Sequence, residues 1–202
     1  MKKLKDKILN EAYVIDERII KVDHFINHML DSKLLFDIGV EFSKKIKGAT
    51  KIVTIEASGI AFAVATSFAL DNIPIVFARK TSSAITSNTV YTSNVHSFTK
   101  DITSTILIEK NYLNSEDNVI IIDDFLATGS AALGLIDIVN QAGATLLGTG
   151  FVIEKGFQNG RERIESLGVK VVSLANISKI NNDILFIRCT SSFELKWHKC
   201  KI

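Results

Sequence analysis

Cysteine is scarce in this 202-residue sequence: only Cys189 and Cys200 occur, both within the last fourteen positions. They can form at most one bridge across the tail, so no disulfide framework supplies the stability, and a reducing cytoplasm is the expected setting. Net charge is equally slight, +2 from 24 basic and 22 acidic side chains. That balance creates no strong field for nucleic acid or an anionic membrane, and neither is expected as a partner. The one basic cluster, Lys2, Lys3, Lys5 and Lys7, is interrupted by Leu4, Asp6 and Ile8 and reads as the solvated face of a first helix. No apolar run approaches the roughly eighteen residues that span a bilayer, and the polar N-terminus lacks the apolar core of a leader, so an unexported chain is expected. There is no internal repeat and no low-complexity linker. With 47% hydrophobic residues the chain has material for one substantial core, and a single domain over 1–202 is expected.

Several common chemistries are missing too. Gly143 and Gly148 have the Walker spacing, but Thr149 stands where the lysine belongs. Gly148, Thr149 and Gly150 begin like a dinucleotide fingerprint, yet Ile153 takes the third glycine position. His24 and His28 stand four apart without an intervening glutamate or a nearby third ligand, so no zinc site is expected. Ser58 precedes Gly59 without the flanking glycine of a nucleophile elbow, which argues against acyl-enzyme hydrolysis.

What is present is concentrated in Val119–Ala132, VIIIDDFLATGSAA. Four apolar residues without polar alternation suit a strand covered on both faces of a parallel sheet. Asp123 and Asp124 follow at its carboxyl end, the edge where open α/β sheets bind ligands. Adjacent carboxylates can accept hydrogen bonds from a vicinal diol or hold a divalent cation. Thr128, Gly129 and Ser130 then lead into a helix, whose unpaired N–H groups and dipole favour a phosphate. On these residues alone the string also suits a core strand followed by a capped helix.

Around it, strand and helix alternate: helix 2–12, an extended stretch 13–22, a helix begun by Asp31 and Ser32 and ended by Gly48, strand 51–56, helix 60–70 and strand 73–78. After the Asp pair come helix 131–141, strand 145–154, helix 159–167 and strand 169–175. Such alternation predicts a parallel sheet with right-handed crossovers. Residues 81–105 break the pattern, with weak alternation around 90–98 and 101–108 that reads as a hairpin or mobile flap. The segment 184–188 looks like an added edge strand, and the rest of the tail 176–202 is not assigned.

Two further strand ends carry chemistry. Glu56, Ala57, Ser58, Gly59 and Ile60 form a second strand-to-helix turn able to hold an anion. Arg79 and Lys80 close the run VFARK, where two fixed cations can neutralise a diphosphate. Three strand ends thus offer sites for a diol, a monophosphate and a diphosphate, the three groups of 5-phosphoribosyl 1-diphosphate (PRPP).

The string at 119–132 resembles the PRPP motif of the type I phosphoribosyltransferases. DERIIKVDHFINHMLD at 16–31, EASGIA, FARK, SFTK at Ser97–Lys100 and VIEKGFQNGR at Val152–Arg161 narrow the likeness to the bacterial xanthine-using branch of that family. The resemblance implies an α/β fold with a central parallel sheet flanked by helices, an N-terminal hood (1–31) and a flexible flap (81–105). It implies a cytoplasmic homodimer that converts xanthine and PRPP to xanthosine 5′-monophosphate and diphosphate, with Mg2+ accompanying PRPP. It assigns Asp123 and Asp124 to the ribose hydroxyls, Ala127, Thr128, Gly129, Ser130 and Ala131 to the phosphoribosyl group, and Ile20, Asn27 and Lys155 to the base. No protein metal ligand is assigned. Thr128 departs from the branch, which often has Asn there, and makes the turn look more like that of adenine and orotate transferases. Phe62 stands where Pro is common, and the tail beyond Ala175 resembles nothing in the branch. Adenine or hypoxanthine/guanine transfer are the rival activities. A PRPP-sensing regulator is the rival of another class, disfavoured because only about a dozen residues precede the active segment, too few for a winged helix.

Overall fold

The computed structural model describes residues 1–15, 19–81, 88–97, 102–180 and 184–186. Asp16 to Arg18, most of the SFTK run, and the tail with both cysteines lie outside the described residues. In chain order the strands are β1 (Tyr13–Val14), β2 (Ile20–Lys21), β3 (Lys51–Ile55), β4 (Ile75–Thr81), β5 (Val90–Ser97), β6 (Ile102–Glu109), β7 (Asn118–Leu126), β8 (Thr145–Lys155), β9 (Val171–Ile180) and β10 (Ile184–Phe186). The helices are α1 (Lys2–Glu11), α2 (Ser32–Lys45), α3 (Gly59–Phe68), α4 (Ser130–Gln141) and α5 (Gly160–Glu165).

Eight strands form one sheet in the order β10-β9-β8-β7-β3-β4-β6-β5. The central five, β9, β8, β7, β3 and β4, are parallel, as the alternation predicts. The edges are antiparallel: β10 adds to β9 where an edge strand was expected, and β5 and β6 form the hairpin expected around 90–108, laid on β4. The reason is local. Both edge additions are reached by connections shorter than the dozen or so residues that a parallel crossover needs, and short connections give antiparallel pairs.

Val119, Ile120, Ile121 and Ile122 are all fully buried. Successive side chains point to opposite faces, so Ile120 and Ile122 join the cluster beneath α1, α2 and α3 with Leu4, Ile38, Phe42 and Phe62. Val119 and Ile121 join the cluster beneath α4 and α5 with Leu135, Ile138 and Ile164. The chain winds outward from β3 to β4 and, in the other direction, from β7 to β9. The β3 and β7 ends therefore flank the topological switch point, where such sheets bind ligands.

Asp31 caps α2 by accepting the Leu34 N–H at 3.0 Å, with Ser32 as the first helical residue rather than a cap. That helix ends at Lys45, before Gly48, because Ile46 turns extended. Asp23–Asn27 is a π-helical turn, and the ring of His24 packs 5.4 Å from that of Tyr13. Among the described residues no helix is long and apolar enough to cross a membrane.

Gly39 lets α2 lie against the α3 backbone: a Cβ there would stand 2.2 Å from the Ala65 carbonyl oxygen. In an open helix Gly→Ala gains up to about 1 kcal/mol. Here the contact is backbone and cannot swing aside, so Gly39→Ala is expected to lose about 1–3 kcal/mol, read as a lower denaturant midpoint with unchanged slope.

Candidate active site

The strand ends at the switch point open onto a cavity of about 540 Å³. From β7 come Asp123 and Asp124, at only 5% and 9% exposure. Each turns one oxygen back onto the main chain. Asp123 Oδ1 accepts the Asp124 N–H at 3.0 Å, and Asp124 Oδ1 accepts the Phe125 N–H at 2.8 Å. Burial pushes the Asp123 carboxyl well above the usual carboxylate range; the charge of Asp124 adds to the push, and the Lys80 ammonium opposes it.

The floor continues through Ala127, Thr128, Gly129, Ser130 and Ala131, all of which line the cavity. Gly129 takes the left-handed conformation, φ +79°, which reverses the chain into α4. Among the described residues no side chain caps α4, so the N–H groups of its first turn are left for a ligand. The Thr128 and Ser130 hydroxyls lie 3.2 Å apart. Behind the turn stands Gly160, where a Cβ would come within 2.3 Å of the Ala127 carbonyl oxygen. Arg163, one turn further along α5, donates to the Thr128 carbonyl at 2.5 Å. Sequence reading missed both braces, because they lie more than thirty positions from the residues they touch.

The β3–α3 turn supplies Glu56 and Ser58. Its Glu56–Ala57 peptide is cis. Glu56 Oε1 accepts the Lys80 backbone N–H at 2.6 Å, tying this turn to β4, and the Lys80 side chain lines the cavity. Gly59 lies beneath, with the position of an absent Cβ 2.7 Å from Asp123 Oδ1.

Arg79 does not join them. Arg79 and Lys80 lie within β4, paired with Leu107 and Ile106 of β6, and period-two alternation sends them to opposite faces. Arg79 lines a separate groove of about 350 Å³ with Ile75, Val76, Phe77, Leu107 and Tyr112. The expectation of two adjacent cations at one site is corrected accordingly: within one chain the cavity receives Lys80.

The three base-assigned residues also separate. Lys155 ends β8, its Nζ 5.8 Å from the centroid of the Phe125 ring, and Phe125 lines the cavity. The strand end before Lys155 is held by Arg161, which grips the buried Glu154 with two bonds of 2.8 and 2.6 Å. Ile20 is packed in the core and Asn27 is exposed on the π-helical turn; neither lines the cavity. Phe125 lies within the motif string, but nothing local marks it as a wall of the cavity. Val95, His96, Ser104 and Ile106 of the hairpin reach the cavity, so the expected flap region forms one of its walls. Among the described residues no three His, Cys, Asp or Glu side chains gather as a metal site.

A buried carboxylate pair, a turn of free N–H groups and a lysine converge at one switch point, the arrangement of a protein that grips a phosphorylated sugar. Residues 26–182 match the family profile described as phosphoribosyl transferase domain, and the chain belongs to that family. It is 50% identical over 190 residues to xanthine phosphoribosyltransferase 2 of Clostridium botulinum (strain Hall), covering 93% of this chain and all of that relative. Over 181 residues it is 50% identical to xanthine phosphoribosyltransferase of Acinetobacter baylyi, covering 89% and 94%. These likenesses place it in the xanthine phosphoribosyltransferase branch. Among solved structures, adenine phosphoribosyltransferase from Rhodothermus marinus superposes with a TM-score of 0.69 at 21% identity, covering 88% of this chain and all of that one, a likeness of fold alone.

Asp123→Asn, uncharged and nearly isosteric, is expected to melt at a higher temperature than the wild type at pH 7. A raised carboxyl pKa means that the folded state binds this proton more tightly than the unfolded state. The group's stabilisation is then complete below its ordinary value of 3.8 and lost as pH rises through the folded pKa. The Tm advantage of the variant should shrink as pH falls toward 3.8; an unchanged Tm difference across that range would count against a costly buried charge.

Proposed function

We propose that this chain transfers the phosphoribosyl group of PRPP to xanthine, giving xanthosine 5′-monophosphate and diphosphate. The observation that carries the reading is the convergence of Asp123, Asp124, the 127–131 turn, Ser58 and Lys80 on one cavity, in a chain whose full-length relatives are xanthine phosphoribosyltransferases. Asp123 and Asp124 accept hydrogen bonds from the ribose hydroxyls. The first-turn N–H groups of α4, with Thr128 and Ser130, hold the 5′-phosphate. Ser58, the β3–α3 turn and Lys80 face the diphosphate and stabilise the charge it gains as its bond to C1 breaks. A purine nitrogen forms the new bond to C1 from the opposite side, through an oxocarbenium-like transition state, and no enzyme nucleophile is needed.

Phe125 and Lys155 mark the base end, an apolar face beside a cation suited to an oxo group or a partly ionised xanthine. Ile20 and Asn27 are carried over from the resemblance alone. An amide such as Asn27 pairs with a 2-oxopurine edge and would be left poorly paired by adenine, a large source of discrimination. The hairpin wall at β5 and β6 closes over the site and keeps water from hydrolysing PRPP. Mg2+ bound with PRPP would be held mainly by diphosphate oxygens and water, and would help neutralise the charge of the departing diphosphate beside Lys80. The setting is the cytoplasm and the assembly a homodimer, for which the apolar groove around exposed Phe77 and Tyr112 is a suitable face.

Diphosphate release from PRPP, followed with each purine in turn, tests the reading. Xanthine is expected to give a kcat/KM at least about a hundredfold above adenine. Release with adenine alone would move the chain to another branch, and PRPP binding without release for any base would favour the sensor. Asp123→Asn combined with Asp124→Asn is expected to lower kcat/KM by about a hundredfold or more; unchanged turnover would remove the ribose role from this pair.

A further inference from the structure

Thr54, the fourth residue of β3, is fully buried, yet among the described residues its Oγ1 has no hydrogen-bond partner. Its strand neighbours are Ile52, Val53 and Ile55, and valine would fill the same shape without burying a hydroxyl. A buried unpaired hydroxyl is a net cost to folding, so packing alone does not account for threonine here. Gly59 shows where the hydroxyl leads. A Cβ on Gly59 would fall 2.2 Å from Thr54 Oγ1 and 2.7 Å from Asp123 Oδ1. The absent side chain leaves a small space shared by this hydroxyl and this carboxylate.

Asp123 Oδ1 already accepts one hydrogen bond, from the Asp124 N–H, and has a second lone pair to offer. When the carboxylate receives ribose hydroxyls it must stay ionised in a buried setting, and a further donor then stabilises and fixes it. We propose that Thr54 is a positioning residue whose hydroxyl, which makes no hydrogen bond in this structure, turns across the space left by Gly59 to donate to Asp123 Oδ1 as that carboxylate takes up the ribose. The inference rests on Asp123 receiving the ribose. Thr54 acts through Asp123 and touches no substrate.

Calorimetric titration of the full chain with PRPP tests it. Thr54→Val and Thr54→Ala are each expected to raise the Kd about tenfold, and Thr54→Ser to restore it to within about twofold. The Tm of the unliganded Thr54→Val protein should be unchanged or higher. In an Asp123→Ala background, which removes the accepting oxygen, Thr54→Val should add nothing, since its effect passes through that side chain. A wild-type Kd in both hydroxyl-free variants, failure of serine to rescue, or a tenfold loss persisting in the Asp123→Ala background would each overturn the role of Thr54. If Asp123→Ala itself left the Kd unchanged, the ribose role of Asp123 would fail instead, a distinguishable result.

Discussion

Asp123 follows four residues of β7 that are buried on both faces of the sheet, so its carboxylate stands in the cavity with almost no access to water. Holding a charge there costs several kcal/mol unless the surroundings answer it. They do so in part: the Asp124 N–H donates to it, Lys80 faces it, and Gly59 contributes no side chain to crowd it. The same burial makes the carboxylate effective. In a dry cleft its hydrogen bonds to a ribose are stronger than in water, and its orientation is fixed before the ligand arrives.

A second constraint follows the first. The phosphate turn begins three residues after Asp124, and a turn of small residues would wander if it stood alone. It is pressed from behind by Gly160 and held through the Thr128 carbonyl by Arg163. Donors that are already in place when charge develops need no reorganisation at the moment of reaction. Glu56 does the same for the opposite wall, linking the β3–α3 turn to the backbone of β4 beside Lys80. The cavity is therefore framed by three strand ends whose positions are set by the sheet.

Much of this was legible in the sequence because it is local. The unbroken apolar run at 119–122, the Asp pair, and the small turn after it each announce their structure within a few residues. The five parallel strands follow from alternation. What escaped is non-local. Arg79 and Lys80 look equivalent in VFARK, but that string lies inside β4, which β6 extends as a neighbour, and strand alternation then parts them. Gly160, Arg163 and Thr54 act on residues far away in the chain, and nothing in their own neighbourhoods marks them. The antiparallel edges were legible as a hairpin and an added strand, but the central strands they would join were not.

The most direct measurement compares the calorimetric affinity of ribose 5-phosphate with that of its 2,3-dideoxy analogue, which keeps the phosphate and loses the diol. The expected result is binding of the dideoxy sugar weaker by about tenfold or more, as two hydrogen bonds to buried carboxylates are lost. Equal affinities would contradict a ribose held by Asp123 and Asp124.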